Sequence, residues 1–312
     1  VTNSIATKAP IASPSFTGNV GIGAGSFPSN GTNLKVSDST IARLVLEDSN
    51  ASTFEIGSTG GVLNIYDATA DAERLRIDSS GSVGIGVTPE SAWHSSLTAL
   101  QLGGNASISA QTTQGSSKQA YFSQNLYNDG DQKYISTDEA SEYRQQNGTH
   151  TFRVAPSGSA DSAISWTTAM IIDNAGIVRK TYQPAFSARI SAAVTQDWGG
   201  VHIVPTNVQV NTGSHYSTST GKFTAPVAGT YMFTYYCRMD DLTASYWYIS
   251  LMKNGTMMHR ALTDENNTYS NLFIAGVISM NANDYVQART DVVGDQSSTI
   301  NNETSFSGHL IG

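Results

Sequence analysis

The chain has 312 residues, enough for two or three domains of ordinary size. Charged residues make up only 13%, about half the roughly 25% of an average soluble domain, which favours strands and turns over solvated helices. The net charge of −8 argues against a nucleic-acid partner, and the longest apolar run, "LFIAGVISM" at 272–280, falls far below the roughly eighteen residues of a membrane-spanning helix.

The N-terminal stretch "VTNSIATKAP" has neither an initiating Met nor the basic and apolar regions of a signal peptide, so a fragment or processed product is expected. "GNVGIGAGSFPSNGTNLKV" at 18–36 is echoed by "GSVGIGVTPESAWHSSLTALQL" at 81–102. The spacing is irregular, so the expectation is a loosely repeated hairpin unit with breaks at Pro10, Pro14, Pro28 and Pro89. A second phrase, "RIDSSGSV", returns near residue 170 as "IIDNAGIV". In each, the Asp can accept a backbone hydrogen bond from two residues on, and a Gly (Gly81, Gly176) can take the positive φ that closes a hairpin. The phrase is a turn device.

From 104 to 181, alternating runs such as "QAYFSQNLY", "THTFRVA" and "AISWTTAMIID" predict antiparallel strands. "STDEASEYRQQ" at 136–146 predicts a helix start, because Ser136 and Glu139 have capping-box spacing. From 182 onward at least eight short strands rich in Tyr, Phe, Val and Thr follow at regular intervals, as in a sandwich or jelly roll. The lone Cys237 shares a face with Tyr231, Phe233 and Tyr235 and is expected to be buried and inert.

"QPAFSARI", "TNVQVNTGSHYSTSTGKFTAPVAGTYMFTYY", "LMKNG", "NANDYVQAR" and "SFSGHLIG" occur in that order, with Gly221, Phe223, Ala225, Pro226, Gly229, Tyr231 and Phe233 as the most specific run. This segment resembles the complement C1q-like globular domain of the tumour-necrosis-factor-like jelly rolls. The resemblance implies a homotrimer whose aromatic-rich inner sheets meet on a three-fold axis, and a recognition head without enzymatic activity. Some members bind calcium, but no metal motif here matches residue by residue. "NDGDQKYISTDE" at 128–139 has Gly130 and Glu139 at the wrong offsets for an EF-hand. A bound metal stays open, and no cofactor is expected.

"ATKAPIASPSFTGNV" at 6–20, the Val-Gly-Ile-Gly phrases and the run from "NLYNDGDQKY" to "MIIDNAG" are similar to bacteriophage tail fibres over roughly residues 6–180. Independently, each "VGIG" strand supplies only two large apolar side chains, and an isolated hairpin is marginal in water. Three chains around a common axis would bury what one cannot.

Candidate receptor contacts are Trp198, Asp240, Asp241, Tyr246, Trp247, Asp264, Glu265, Asn266, Asn267 and Tyr269, because loop aromatics can stack on sugar faces while acids and amides bind hydroxyls. The pairs Asp240–Asp241 and Asp264–Glu265 raise the alternative of a polysaccharide depolymerase, but strand neighbours point to opposite faces. The histidines His94, His150, His202, His215, His259 and His309 show no metal spacing and sit beside no Gly-x-Ser-x-Gly elbow.

The expected molecule is an all-β, elongated homotrimer: a β-hairpin, β-prism-like shaft at 1–103, a β-rich middle module at 104–181 and a C1q-like jelly-roll head at 182–312. It would be a virion tail-fibre adhesin without enzymatic activity, binding a host bacterial surface receptor, a glycan such as lipopolysaccharide or a protein, and joining upstream tail or baseplate proteins. A structural trimerisation cap without receptor binding is the remaining alternative.

Overall fold

The structure is a computed structural model that describes residues 20–22, 34–36, 38–47, 51–242, 244–264, 268–294 and 297–312. The chain divides into two compact units, Val1–Arg179 and Lys180–Gly312. Every regular element among the described residues is a β-strand.

The N-terminal unit contains β1 (Val20–Ile22), β2 (Leu34–Val36), β3 (Ile41–Glu47), β4 (Thr53–Thr59), β5 (Val62–Asp67), β6 (Ala72–Ile77), β7 (Val83–Ile85), β8 (Leu97–Leu102), β9 (Ala106–Gln111), β10 (Gln119–Gln124), β11 (Tyr127–Asn128), β12 (Gln132–Lys133), β13 (Asp138–Gln146), β14 (Thr149–Gly158), β15 (Thr167–Ile172) and β16 (Val178–Arg179). Twelve of these, β3 to β10 and β13 to β16, form one sheet in chain order. The 103/104 boundary falls in the β8–β9 turn, and the sheet runs through it.

The two copies of the Asp–Gly phrase build the same turn. Asp78 Oδ1 accepts the amides of Ser80 and Ser82, both at 2.9 Å. Asp173 Oδ1 accepts those of Ala175 and Ile177, both at 3.0 Å. Gly81 and Gly176 follow at φ 87° and 82°, a region that costs glycine nothing. The turns close the β6–β7 and β15–β16 hairpins.

The Val-Gly-Ile-Gly phrases differ from expectation. Val20 pairs with Leu34 and Ile22 with Val36 in parallel, and Val83 with Leu100 and Ile85 with Leu102 likewise. Each copy pairs its two strands in parallel, not as a hairpin. In the second copy the connection, residues 86–96, is far longer than the two to five residues that close most hairpins, and Pro89 is buried within it. Pro10, Pro14 and Pro28 lie outside the described residues.

The helix expected at 136–146 is instead β13, paired with β10 on one side and β14 on the other. Ala140 and Glu142 are buried two residues apart, the period of a strand. Ser136 makes no helix cap; its amide and hydroxyl both bond Asn125 Oδ1.

One face of the sheet carries an uninterrupted apolar ladder. Leu44, Ile56, Ile65, Leu75, Ile85 and Leu102 are successive register partners across β3 to β8. Leu100, Ile108, Phe122, Tyr143, Phe152 and Met170 continue the ladder across β8 to β15. The opposite face between β8 and β15 is covered by the chain's own loops. Glu90, Leu126 and Gln132 reach onto it through hydrogen bonds, Trp166 donates to Gln132 and lies under the Arg153 guanidinium, and the buried Glu142–Arg153 ion pair beneath is completed by Gln132.

The C-terminal unit contains β17 (Ala185–Arg189), β18 (Val194–Gln196), β19 (Val201–His202), β20 (Asn207–Thr212), β21 (Phe223–Thr224), β22 (Gly229–Asp240), β23 (Tyr246–Lys253), β24 (Thr256–Thr263), β25 (Tyr269–Met280), β26 (Tyr285–Val293), β27 (Ser298–Ile300) and β28 (Ser305–Leu310). One sheet runs β18-β27-β22-β28-β17-β20 with β25 also on β22; the other runs β19-β26-β23-β24 with β21 on β26. Together they form a jelly roll. Strict alternation along β22 sends Tyr231, Phe233, Tyr235, Cys237 and Met239 into the core, all fully buried. There they meet Phe186, Phe223, Trp247 and Phe306 from the other strands. Two of the core tyrosine hydroxyls bond backbone carbonyls: Tyr231 donates to Val227 and Tyr216 to Pro205, both at 2.8 Å.

Burial pushes the Cys237 thiol up to about 11, which keeps it protonated and unreactive. Dithionitrobenzoate at pH 8 is expected to leave the native chain unmodified and to titrate this one thiol once guanidinium unfolds it. At the β25–β26 turn, the carboxylate of Asp284 accepts from Lys253 (2.9 Å), Asn254 (2.7 Å) and the Asn281 amide (2.8 Å). These bonds, Lys253 foremost, hold its pKa down at about 2. A depressed folded-state pKa stabilises above the unfolded value of about 3.9 and is lost as pH falls through the folded one. Thermal scans should therefore find Asp284→Asn less stable than the parent at pH 7, with the gap closing between about pH 4 and pH 2.

Candidate functional site

The ends of β22, β25 and β27 meet at one end of the jelly roll. Asp240, the last residue of β22, is flanked in register by Tyr269 of β25 and Thr299 of β27. Because Met239 points into the core, Arg238 and Asp240 share the outward face. Arg238 Nε donates to Asp240 Oδ1 at 2.9 Å, its Nη1 lies 3.1 Å from Glu303 Oε2, and its guanidinium stands 5.2 Å from the Tyr269 ring centre. Asn301 Nδ2 donates to Asp240 Oδ2 at 2.9 Å. The carboxylates of Glu303 and then Asp240 raise the pKa of the Arg238 guanidinium. The cluster is thus an acid–arginine–amide network beside an open aromatic ring, a combination that suits a hydroxyl-rich ligand with one flat face.

Asp241 follows at φ 58° and is exposed. Its amide donates to the Thr268 carbonyl, which ties the loop after β22 to the loop before β25. Tyr269 is 65% exposed and Tyr246 39%. Asp264 is exposed just after β24. Glu265, Asn266 and Asn267 lie outside the described residues.

Two of the expected contacts are interior. Trp198 is 4% exposed and Trp247 fully buried, because alternation along β23 turns Tyr246 and Tyr248 outward and the ring between them inward. Their indole N–H groups brace the site from beneath: Trp247 donates to Ser270 Oγ at 3.0 Å and Trp198 to the Ser298 carbonyl at 2.9 Å. They position β25 and β27 and offer no surface. Among the described residues no group of three His, Cys, Asp or Glu side chains converges to hold a metal.

Three further surfaces carried little or no sequence signal. A groove of about 340 Å³ in the N-terminal unit is lined by Lys118, Gln119, Gln145, Gln146, Asn147 and His150. The apolar ladder leaves Leu44, Ile108 and Phe122 solvent-facing in the single chain, Phe122 at 54%. In the C-terminal unit the outward face of β22 and β25 pairs Met232 with Val277 and Tyr236 with Phe273.

Residues 185–311 match the family model described as the C1q domain. The C-terminal unit carries a C1q-like domain. Similar solved structures include the globular domain of zebrafish complement 1qA protein, at 17% identity over 42% of this chain and 98% of that one, with a TM-score of 0.33. Murine APRIL at pH 8.5 is 10% identical over 41% of this chain and 99% of its own, with a TM-score of 0.34. Eiger TNF from S. frugiperda is 13% identical over 42% and 94%, also at 0.34.

Replacing Trp247 by Phe in the C1q-like domain should cost about 1–3 kcal/mol in denaturant unfolding, through the lost Ser270 bond and the vacated volume. Tyr269→Ala should change stability by no more than about 0.5 kcal/mol, as expected of a surface ring.

Proposed function

We propose that the chain is an adhesin of the bacteriophage tail-fibre type. It assembles as a homotrimer and attaches a virion to a bacterial surface glycan, and it performs no chemistry. The reading is carried by the end of the jelly roll where Tyr269, Arg238, Asp240 and Asn301 stand together on strands braced from inside. Open aromatic rings and fixed polar groups on a rigid scaffold suit recognition. Both oxygens of Asp240 are engaged by neighbours, which suits a binding group better than a proton-transfer group. Tyr246, Asp241 and Asp264 are proposed as flanking contacts, with Glu265, Asn266 and Asn267 of the same loop as further candidates.

Trimerisation is supported by the C1q-like domain and by the apolar faces of both units. Each face would lie against its copies, and affinity would come from avidity over three heads. The tail-fibre context is supported by the phrases at 6–20 and in the repeats, and the virion exterior is the location that follows from it.

Fluorescently labelled full chain should decorate some strains of a bacterial panel. Tyr269→Ala and Asp240→Asn should each reduce decoration roughly tenfold while sedimentation still reports three copies. Phe273→Asp should lower the oligomer and the decoration together. Decoration of no strain would defeat the adhesin, new reducing ends from envelope polysaccharide would favour a depolymerase, and a single-copy particle at micromolar concentration would defeat the trimer.

A further inference from the structure

We propose a second site, on the outward face of the β19-β26-β23-β24 sheet, that binds an oxyanion, a phosphate or a carboxylate, between Arg260 and Arg289 with Ser250 at its floor. It does not depend on the adhesin reading. Arg260, Ser250, Arg289 and His202 are successive register partners across β24, β23, β26 and β19. They form one row, and they face outward because Ile249 and Leu251 on either side of Ser250 are fully buried core residues.

Three members of the row leave a buried polar atom without a hydrogen-bond partner: Ser250 Oγ, Arg289 Nε and His202 Nδ1. Ser250 itself is fully buried. Such groups are costly to leave unmade, and the two donors among them, Ser250 Oγ and Arg289 Nε, mark a place where a ligand oxygen would complete them.

The charges point to the sign of that ligand. On this patch one carboxylate, Asp291, stands against two arginines, Arg289 and Arg260, and pairs with the first. It sits 2.7 Å from Arg289 Nη2 and also takes a hydrogen bond from Tyr248. Arg260 makes no ion pair among the described residues; its guanidinium lies 5.2 Å over the Tyr248 ring. One positive charge is therefore unbalanced, on a chain whose net charge is −8. Burial and the neighbouring Arg289 also lower the pKa of His202, so the row resists taking on another proton. Guanidinium forks match the paired oxygens of phosphate and carboxylate groups. Arg260 is exposed and the Arg289 side chain 29% exposed, so the pair can be reached from solvent.

The test is ligand-dependent thermal unfolding of the full chain at low ionic strength, with inorganic phosphate in one arm and glucuronate in the other. At least one should raise Tm saturably, with an apparent Kd on the order of 1 mM. The arm that saturates identifies the oxyanion. Arg260→Gln should weaken binding roughly tenfold and Ser250→Ala about threefold, whereas Arg189→Gln, which removes an exposed cation from the other sheet, should leave it unchanged. No saturation by either anion below about 20 mM, or equal weakening by Arg189→Gln and Arg260→Gln, would overturn the site.

Discussion

A β-sheet has two faces, and each must be covered by other parts of the chain, covered by another chain or left to water. Much of the molecule's organisation follows from this requirement. In the N-terminal unit the segments around Glu90, Leu126, Gln132 and Trp166 cover the face opposite the ladder between β8 and β15, and they seal a buried ion pair under it. The other face keeps its row of Leu, Ile and Phe from Leu44 to Met170. The C-terminal unit meets the same requirement differently. Its two sheets cover each other, and the alternation of β22 divides a dry interior from an outward face that still carries Met232 and Tyr236.

This division also explains how the end that carries Arg238 and Asp240 is held. The rings that stiffen it, Trp198 and Trp247, are inside, and those that can touch a ligand, Tyr246 and Tyr269, are outside. The indole N–H groups reach the strands carrying the exposed residues, so rigidity and accessibility are supplied by different residues on opposite sides of the same strands.

Local chemistry in the sequence made a good part of this legible. An Asp followed by small residues and a Gly can do little except close a tight turn, and both copies do so with matching hydrogen bonds. The alternating aromatics of β22 disclosed a half-buried strand and the burial of Cys237. Features set by distant partners were not legible. The Ser136–Glu139 spacing satisfies a helix rule, yet strands on both sides claim that segment and the period-two burial of Ala140 and Glu142 prevails. Within "YWY" nothing local tells which ring turns inward. The parallel pairing at Val83 depends on a partner at Leu100, and the Arg260 row assembles residues scattered from His202 to Arg289, which only the sheet register unites.

The chain-order pairing of the N-terminal sheet bears on how such a molecule can change over generations. Each strand from β3 onward hydrogen-bonds its sequence neighbours, apart from the small β11–β12 excursion. Where neighbouring strands are antiparallel, duplicating or deleting two of them together would therefore keep the direction of every downstream strand, whereas losing one would reverse it. Length can drift in such paired steps while the C-terminal unit keeps its own sheets.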